Sequence, residues 1–153
     1  MEEEAGGSIA SVPLRTPLVG RLPLPENVPI MKTTQLNHVA IHVADVERSC
    51  EFYGNILQLE PLPRPDFDFP GAWFLLGTDQ ELHIIGDRTA NVVGDHRGNH
   101  YALMVDDIDA WENHLIVQNV KYRPRATRPD GAFQIFLTDP DGHVIELCTS
   151  VVG

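Results

Sequence analysis

Hydrophobic and polar positions follow one another along this chain in an order that occurs twice. Between Gln35 and Val43, the β-branched residues Val39, Ile41 and Val43 fall on one face of an extended segment and His38, Ala40 and His42 on the other, which predicts a two-sided strand. Asp45 stands at an N-cap position, where its carboxylate can accept a bond from a first-turn N–H. Cys50, Tyr53 and Leu57 give the helix it opens an apolar stripe to about residue 57. Pro61-Leu-Pro-Arg-Pro65 lacks the donors a central strand needs and is expected at an edge or in a loop. Strands over 72–76 and 80–85 then flank Gly77-Thr-Asp79 as a hairpin.

After a polar, glycine-bearing link the order recurs. Residues 100–105 predict a strand with His100, Ala102 and Met104 on one face. Asp106 or Asp107 caps a helix to about Asn119, a short strand covers 120–123, and a second hairpin joins 132–137 to 143–148 across Asp139-Pro-Asp-Gly142. The expected fold is α+β, with β-α-β-β-β modules over 34–90 and 98–150 inside one domain, 34–150. A module of about sixty residues buries its sheet poorly alone, so the two should pack together.

Composition narrows this further. A chain of 153 residues, 42% hydrophobic, suits one domain. Residues 1–33, with Pro13, Pro17, Pro23, Pro25 and Pro29, read as an extended or disordered leader. A formal net charge of −11 and a pI near 4.9 argue against nucleic acid or an anionic membrane as partner. No apolar run approaches the roughly 20 residues that span a bilayer, and the Met-Glu-Glu-Glu start lacks a basic signal region; the expected location is the cytoplasm. Cys50 and Cys148 read as buried thiols.

The repeat carries the candidate chemistry. His38 and His100 open the two modules at matched positions. On the closing strands, His83 stands where Glu146 stands, with nearly the spacing that separates the two histidines. A lone strand histidine is usually structural, but four potential ligands at duplicated positions are expected to meet in one cleft. Three imidazoles and a carboxylate suit a first-row divalent ion with room left for water and substrate. Glu146, between Ile145 and Leu147, is costly to bury unless it is paired or metal-bound. Lower in rank stand the basic group Lys121, Arg123, Arg125 and Arg128, read as a solvated loop that could also steer an anionic substrate, and Trp73 with Phe133 at matching hairpin positions, read as core or substrate wall. His42 is a candidate hydrogen-bonding neighbour of the site, His96, His114 and His143 are expected at the surface, and Asp141-Gly142 is expected to be a turn.

The run from Leu36 to Tyr53 and the ending Phe136-Leu-Thr-Asp-Pro-Asp-Gly-His-Val-Ile-Glu-Leu147 resemble the glyoxalase/bleomycin-resistance/extradiol-dioxygenase (vicinal oxygen chelate) superfamily. The resemblance implies paired βαβββ modules forming a curved mixed sheet around a metal-binding cleft. It implies His38, His83, His100 and Glu146 as ligands of a nickel, cobalt, manganese, iron or zinc ion, with Glu81 competing for the place of His83. Its chemistry is chelation of neighbouring substrate oxygens, most simply in a lactoylglutathione-lyase-like enzyme in which an enediolate is stabilised and Glu146 moves the proton. An imidazole at position 83, where a second glutamate is common, is a poorer base for such a lyase; the His/His/Glu core also resembles an extradiol-type dioxygenase or a fosfomycin thiol transferase, against which His83 would fill a position that ring-cleaving enzymes keep open. A metal-free drug- or metabolite-binding protein is the rival of another class. A small, anionic substrate and a homodimer, its site within one chain or shared between two, complete the expectation.

Overall fold

The computed structural model describes residues 31–151, so nearly all of the expected leader lies outside the described residues. Residues 31–34 are exposed and without regular structure. In the first module, β1 (His38–His42) leads to α1 (Val46–Glu51), β2 (Pro61–Leu62), β3 (Gly71–Leu76) and β4 (Gln80–Ile85). The second repeats the order with β5 (His100–Met104), α2 (Ile108–Val117), β6 (Tyr122–Thr127), β7 (Phe133–Thr138) and β8 (Val144–Cys148).

Each helix begins where the capping residues dictate. The Asp45 carboxylate accepts a bond from Arg48 N, and that of Asp107 from Asp109 N and Ala110 N. From α1 the chain widens into a π-helical turn, Phe52–Ile56, which places Tyr53 fully inside. Non-glycine residues in the left-handed region, Gln58 at φ 54° and Asn119 at φ 54°, follow the two helical segments.

Each module supplies one mixed four-stranded sheet, ordered β1-β4-β3-β2 and β5-β8-β7-β6. β1 runs parallel to β4 and β5 to β8, while the other pairs are antiparallel. The histidine-bearing strands β1 and β5 are therefore both sheet edges. Their aliphatic faces turn inward, Ile41 and Val43 being buried and Tyr101 and Leu103 packed against the core. The faces carrying His38, Ala40 and His42, and His100, Ala102 and Met104, are exposed, Met104 by 72%. One apolar cluster draws on both modules, including Tyr53, Leu82 and Ile84 from the first and Leu115, Ile135, Ile145 and Leu147 from the second.

The sixth strand departs from expectation. It runs over Tyr122–Thr127 rather than 120–123, with its register shifted between Arg123 and Ala126. Pro124 has no N–H to donate and is tolerated because β6 is an edge with a bulge. Val120 instead closes the end of α2, its N–H bonded to Leu115 O at 2.9 Å.

Candidate functional site

In the first module, the His38 and His83 rings stack with centroids 4.3 Å apart and planes 12° from parallel. Trp73, directly across the ladder from His83, covers its other side at 4.1 Å and 6°. His83 is thus clamped between an indole and an imidazole, and its Nε2–H donates to Glu81 Oε2 at 2.6 Å. An imidazole binds a metal through a lone pair lying in its ring plane, at about 2.0–2.1 Å for zinc. Nearly parallel rings 4.3 Å apart do not aim two such lone pairs at one point, so joint coordination by His38 and His83 requires one ring to turn. Beyond Trp73 the wall continues through Phe67, 6.1 Å from its ring, with the Arg64 guanidinium over both Phe67 and Phe69.

The second module is arranged differently. Glu146 is only 6% exposed, between fully buried Ile145 and Leu147. Its Oε2 accepts a bond from His100 Nε2–H at 3.1 Å, whereas its Oε1 is buried with no hydrogen-bond partner. Leaving such an acceptor unsatisfied costs about 1–3 kcal/mol, and more where the group is charged. An unsatisfied acceptor of this kind could receive a cation or a proton. Phe136 lies across the ladder from Glu146 and meets His100 edge-on at 5.4 Å. A cavity of about 580 Å³ opens over this pair.

Of the four expected ligands, the fold brings His38 against His83 and His100 against Glu146. Among the described residues, no three or more His, Cys, Asp or Glu side chains are grouped to hold a metal ion. The donor types still suit a first-row divalent cation, and the orphaned Glu146 oxygen is consistent with one. Register supports the pairing of positions: His83 lies across from Ala40 on β1, and Glu146 across from Ala102 on β5.

Other residues take places that the sequence did not disclose. The counterpart of Trp73 is Phe136 rather than Phe133, because the second hairpin is paired in a different frame from the repeated Gly-Ala-aromatic triplet. His114 and His143, expected at the surface, are half-buried and bridge the modules, donating from Nε2 to Ile56 O and His42 O, each at 3.0 Å. His42 donates to Gly86 O at 2.5 Å.

Asp141 is much more than a turn residue. Its fully covered carboxylate accepts bonds from Ala44 N (2.9 Å) and from Arg88 Nε (3.2 Å) and Nη2 (2.5 Å), with Arg48 at 3.4 Å. Burial alone would raise its pKa, but Arg88, the Ala44 amide and Arg48 together hold it below the ordinary value. Asp139, 5% exposed, accepts from Tyr53 OH at 2.9 Å and from the backbone of Asp141 and His143, and Tyr101 OH donates onward to Tyr53 OH at 3.1 Å. Burial, then the neighbouring Tyr101 and Asp139, push the Tyr53 phenol far upward, so it stays a donor. This polar belt fastens one module to the other.

Doubled βαβββ modules with a histidine on each opening edge strand and a glutamate on the last strand define a glyoxalase-type fold, and sequence comparison agrees. Residues 35–147 match the model of the Glyoxalase/Bleomycin resistance protein/Dioxygenase superfamily, and the chain belongs to that superfamily. It is 30% identical over 124 residues to Glyoxylase I 4 of Arabidopsis thaliana, covering 75% of this chain and 70% of that protein. It is also 30% identical over 131 residues to metallothiol transferase FosB of Staphylococcus epidermidis, covering 80% and 86%. Among solved structures, a glyoxalase family protein from Bacillus anthracis superposes with TM-score 0.69 at 27% identity, over 78% of this chain and 97% of the other. Lactoylglutathione lyase from Agrobacterium tumefaciens, at 16% identity and TM-score 0.62 over 77% and 95%, shares the fold. No described helix is long and apolar enough to cross a membrane.

Proposed function

We propose that the protein is a divalent-metal-dependent enzyme of lactoylglutathione-lyase type, acting on a small substrate that offers two neighbouring oxygens. The observation that carries this reading is Glu146: a buried carboxylate that lines an open cavity, with one oxygen anchored by His100 and the other without a hydrogen-bond partner. His38, His83, His100 and Glu146 are the proposed ligands of the ion, one of nickel, cobalt, manganese, iron and zinc. When bound, the cation would supply Lewis acidity to the chelated oxygens. Glu146 takes the proton from the carbon beside those oxygens and returns it to the neighbouring carbon. His100 holds the carboxylate in place, and Phe136 keeps water from one side of it. The exposed histidine faces of the edge strands β1 and β5, and the separation of the ligands into two pairs, support a homodimer in which a first module of one copy meets a second module of the other.

A thiol transferase is the second reading. It is favoured by the likeness to metallothiol transferase FosB and by the engagement of His83 with Glu81 and Trp73, which leaves His38, His100 and Glu146 as the remaining ligand set. Elemental analysis of protein purified without chelator, with thermal shifts on adding each metal, tests the common premise; a chain that neither holds nor is stabilised by any of them would sink both. Turnover of the methylglyoxal–glutathione hemithioacetal, lost in Glu146→Gln, selects the lyase; thiol addition to fosfomycin without it selects the transferase.

A further inference from the structure

Glu81 and His83 share one face of β4 and both compete for the fourth ligand position, yet each holds the other: Glu81 Oε2 accepts the Nε2–H of His83 at 2.6 Å. The remaining nitrogen of His83, Nδ1, carries its lone pair in a plane 12° from that of the His38 ring, 4.3 Å away, while Trp73 covers the opposite face at 4.1 Å and 6°. A ring gripped on both faces and at one edge turns only by giving up these contacts. Among the described residues, His38 stacks on one ring only, and with Nδ1 on Asn37 its Nε2 remains available to an ion. Trp73 is itself braced. Phe67 packs beside it at 6.1 Å, under the Arg64 guanidinium, which lies 4.7 Å over the Phe67 ring and donates to Phe69 O at 2.8 Å. Gly71 makes room for that arginine, since a Cβ there would stand 3.2 Å from Arg64 Nε and 2.3 Å from Ile84 O. The grip is not a property of the repeat, for Phe136, the counterpart of Trp73, stands at 86° to His100 instead of lying flat on it.

We propose that Trp73 and Glu81 form a clamp that competes with the metal ion for His83, which makes His83 a conditional ligand. While the stack is closed the ion is held by His38, His100 and Glu146, and it gains His83 only when the stack opens. The proposal rests on the metal site proposed above. It adds that Trp73 is a positioning residue, which acts through His83 to decide whether a fourth position stays open to a substrate oxygen. A partner that merely supported His83 as a ligand would weaken metal binding about 10–100-fold on removal; a clamp has the opposite sign.

Cobalt(II) titrated into the full chain and followed by its visible absorption reads affinity and ligand set together, independently of turnover. Trp73→Leu is expected to bind cobalt about tenfold more tightly than wild type, with a changed absorption envelope, because stacking no longer opposes the new metal bond. His83→Ala should weaken binding by less than about threefold in wild type but by more than about tenfold in the Trp73→Leu background, a coupling that a purely structural role of Trp73 does not produce. Trp73→Phe, which keeps a ring to stack, should behave as wild type. Should Trp73→Leu fold poorly by circular dichroism, Phe67→Leu loosens the brace from its exposed side and should tighten binding by a smaller factor. Weaker cobalt binding in Trp73→Leu, an equal effect of His83→Ala in both backgrounds or, where Trp73→Leu does not fold, unchanged or weaker binding in Phe67→Leu overturns the clamp and leaves the metal site standing. Absence of cobalt uptake in every variant overturns both.

Discussion

The two halves of the candidate site are built on the same register yet stand in opposite states of satisfaction. In the first module, both candidate histidines are engaged: His83 is stacked on both sides and bonded to Glu81, and His38 Nδ1 donates to Asn37 Oδ1 at 2.8 Å. In the second, Glu146 keeps a buried oxygen with nothing to bond, beside a ring that meets its neighbours edge-on. On the proposed function, the same strand positions serve rigidity in one copy and reactivity in the other. Duplication supplies the scaffold, and the asymmetry is where chemistry enters.

The largest effect that would break this contrast is on turnover. Glu146→Gln should lower the rate of hemithioacetal conversion by about 10²–10⁴, the usual contribution of a positioned acid–base group, whereas His83→Gln should cost far less; equal losses would place the two halves on the same footing. Next in size is stability. Asp141→Asn leaves the Arg88 and Arg48 charges without their counter-ion and should destabilise the fold by about 3–5 kcal/mol in denaturant titration, while the corresponding turn of the first module, replaced at the exposed Asp79, should shift it by no more than about 0.5 kcal/mol.

Acid titration gives a smaller and directional difference. Because folding depresses the Asp141 pKa, its stabilising contribution is present in full above the unfolded value of about 3.9 and is lost as pH falls through the folded value. Wild type should lose stability on acidification below about pH 4 more steeply than Asp141→Asn, as read from midpoints of urea unfolding. Smallest of all, Glu146→Gln in the metal-free protein should unfold no earlier than wild type and up to about 2 kcal/mol later, since it removes a buried charge with one oxygen unsatisfied. Early unfolding would mean that the orphaned oxygen has a structural partner.

Much of the fold was legible because the two modules obey simple periodicities. The aliphatic sides of β1 and β5, the Asp45 and Asp107 caps and both hairpins follow from alternation, capping and turn chemistry. What escaped was everything fixed by contact between strands or modules. Phe136 is the ladder neighbour of Glu146 in a way that the Gly-Ala-aromatic repeat concealed, since Phe133 stands 13 residues before Glu146 whereas Trp73 stands 10 before His83, and the difference of three moves the facing position to the other side of the strand. Asp141 carries an unremarkable turn signature, and only the fold reveals that its carboxylate reaches Ala44, Arg48 and Arg88. Of the basic group, read as a solvated loop, Arg123 and Arg125 lie instead on the edge strand β6, and the ion pairs of Arg125 with Asp109 and Glu112 and of Arg128 with Asp130 were not foreseen. The matching of His38 with His100 and of His83 with Glu146 along the repeat could be inferred; the clamp that Trp73 places on His83 could not, because stacking depends on cross-strand register.

The Asp139-Pro-Asp-Gly turn also has a bearing on how the chain is made. Arg88 and its partner Asp141 are separated by 53 residues, so at about 5–20 residues per second the first module waits on the order of 3–10 s after Arg88 is synthesised before that carboxylate exists. During that interval Arg88, Arg48 and the Ala44 amide have no anion to hold, and Tyr53 has no Asp139. The first module is therefore born incomplete, and its fold is locked by a turn of the second.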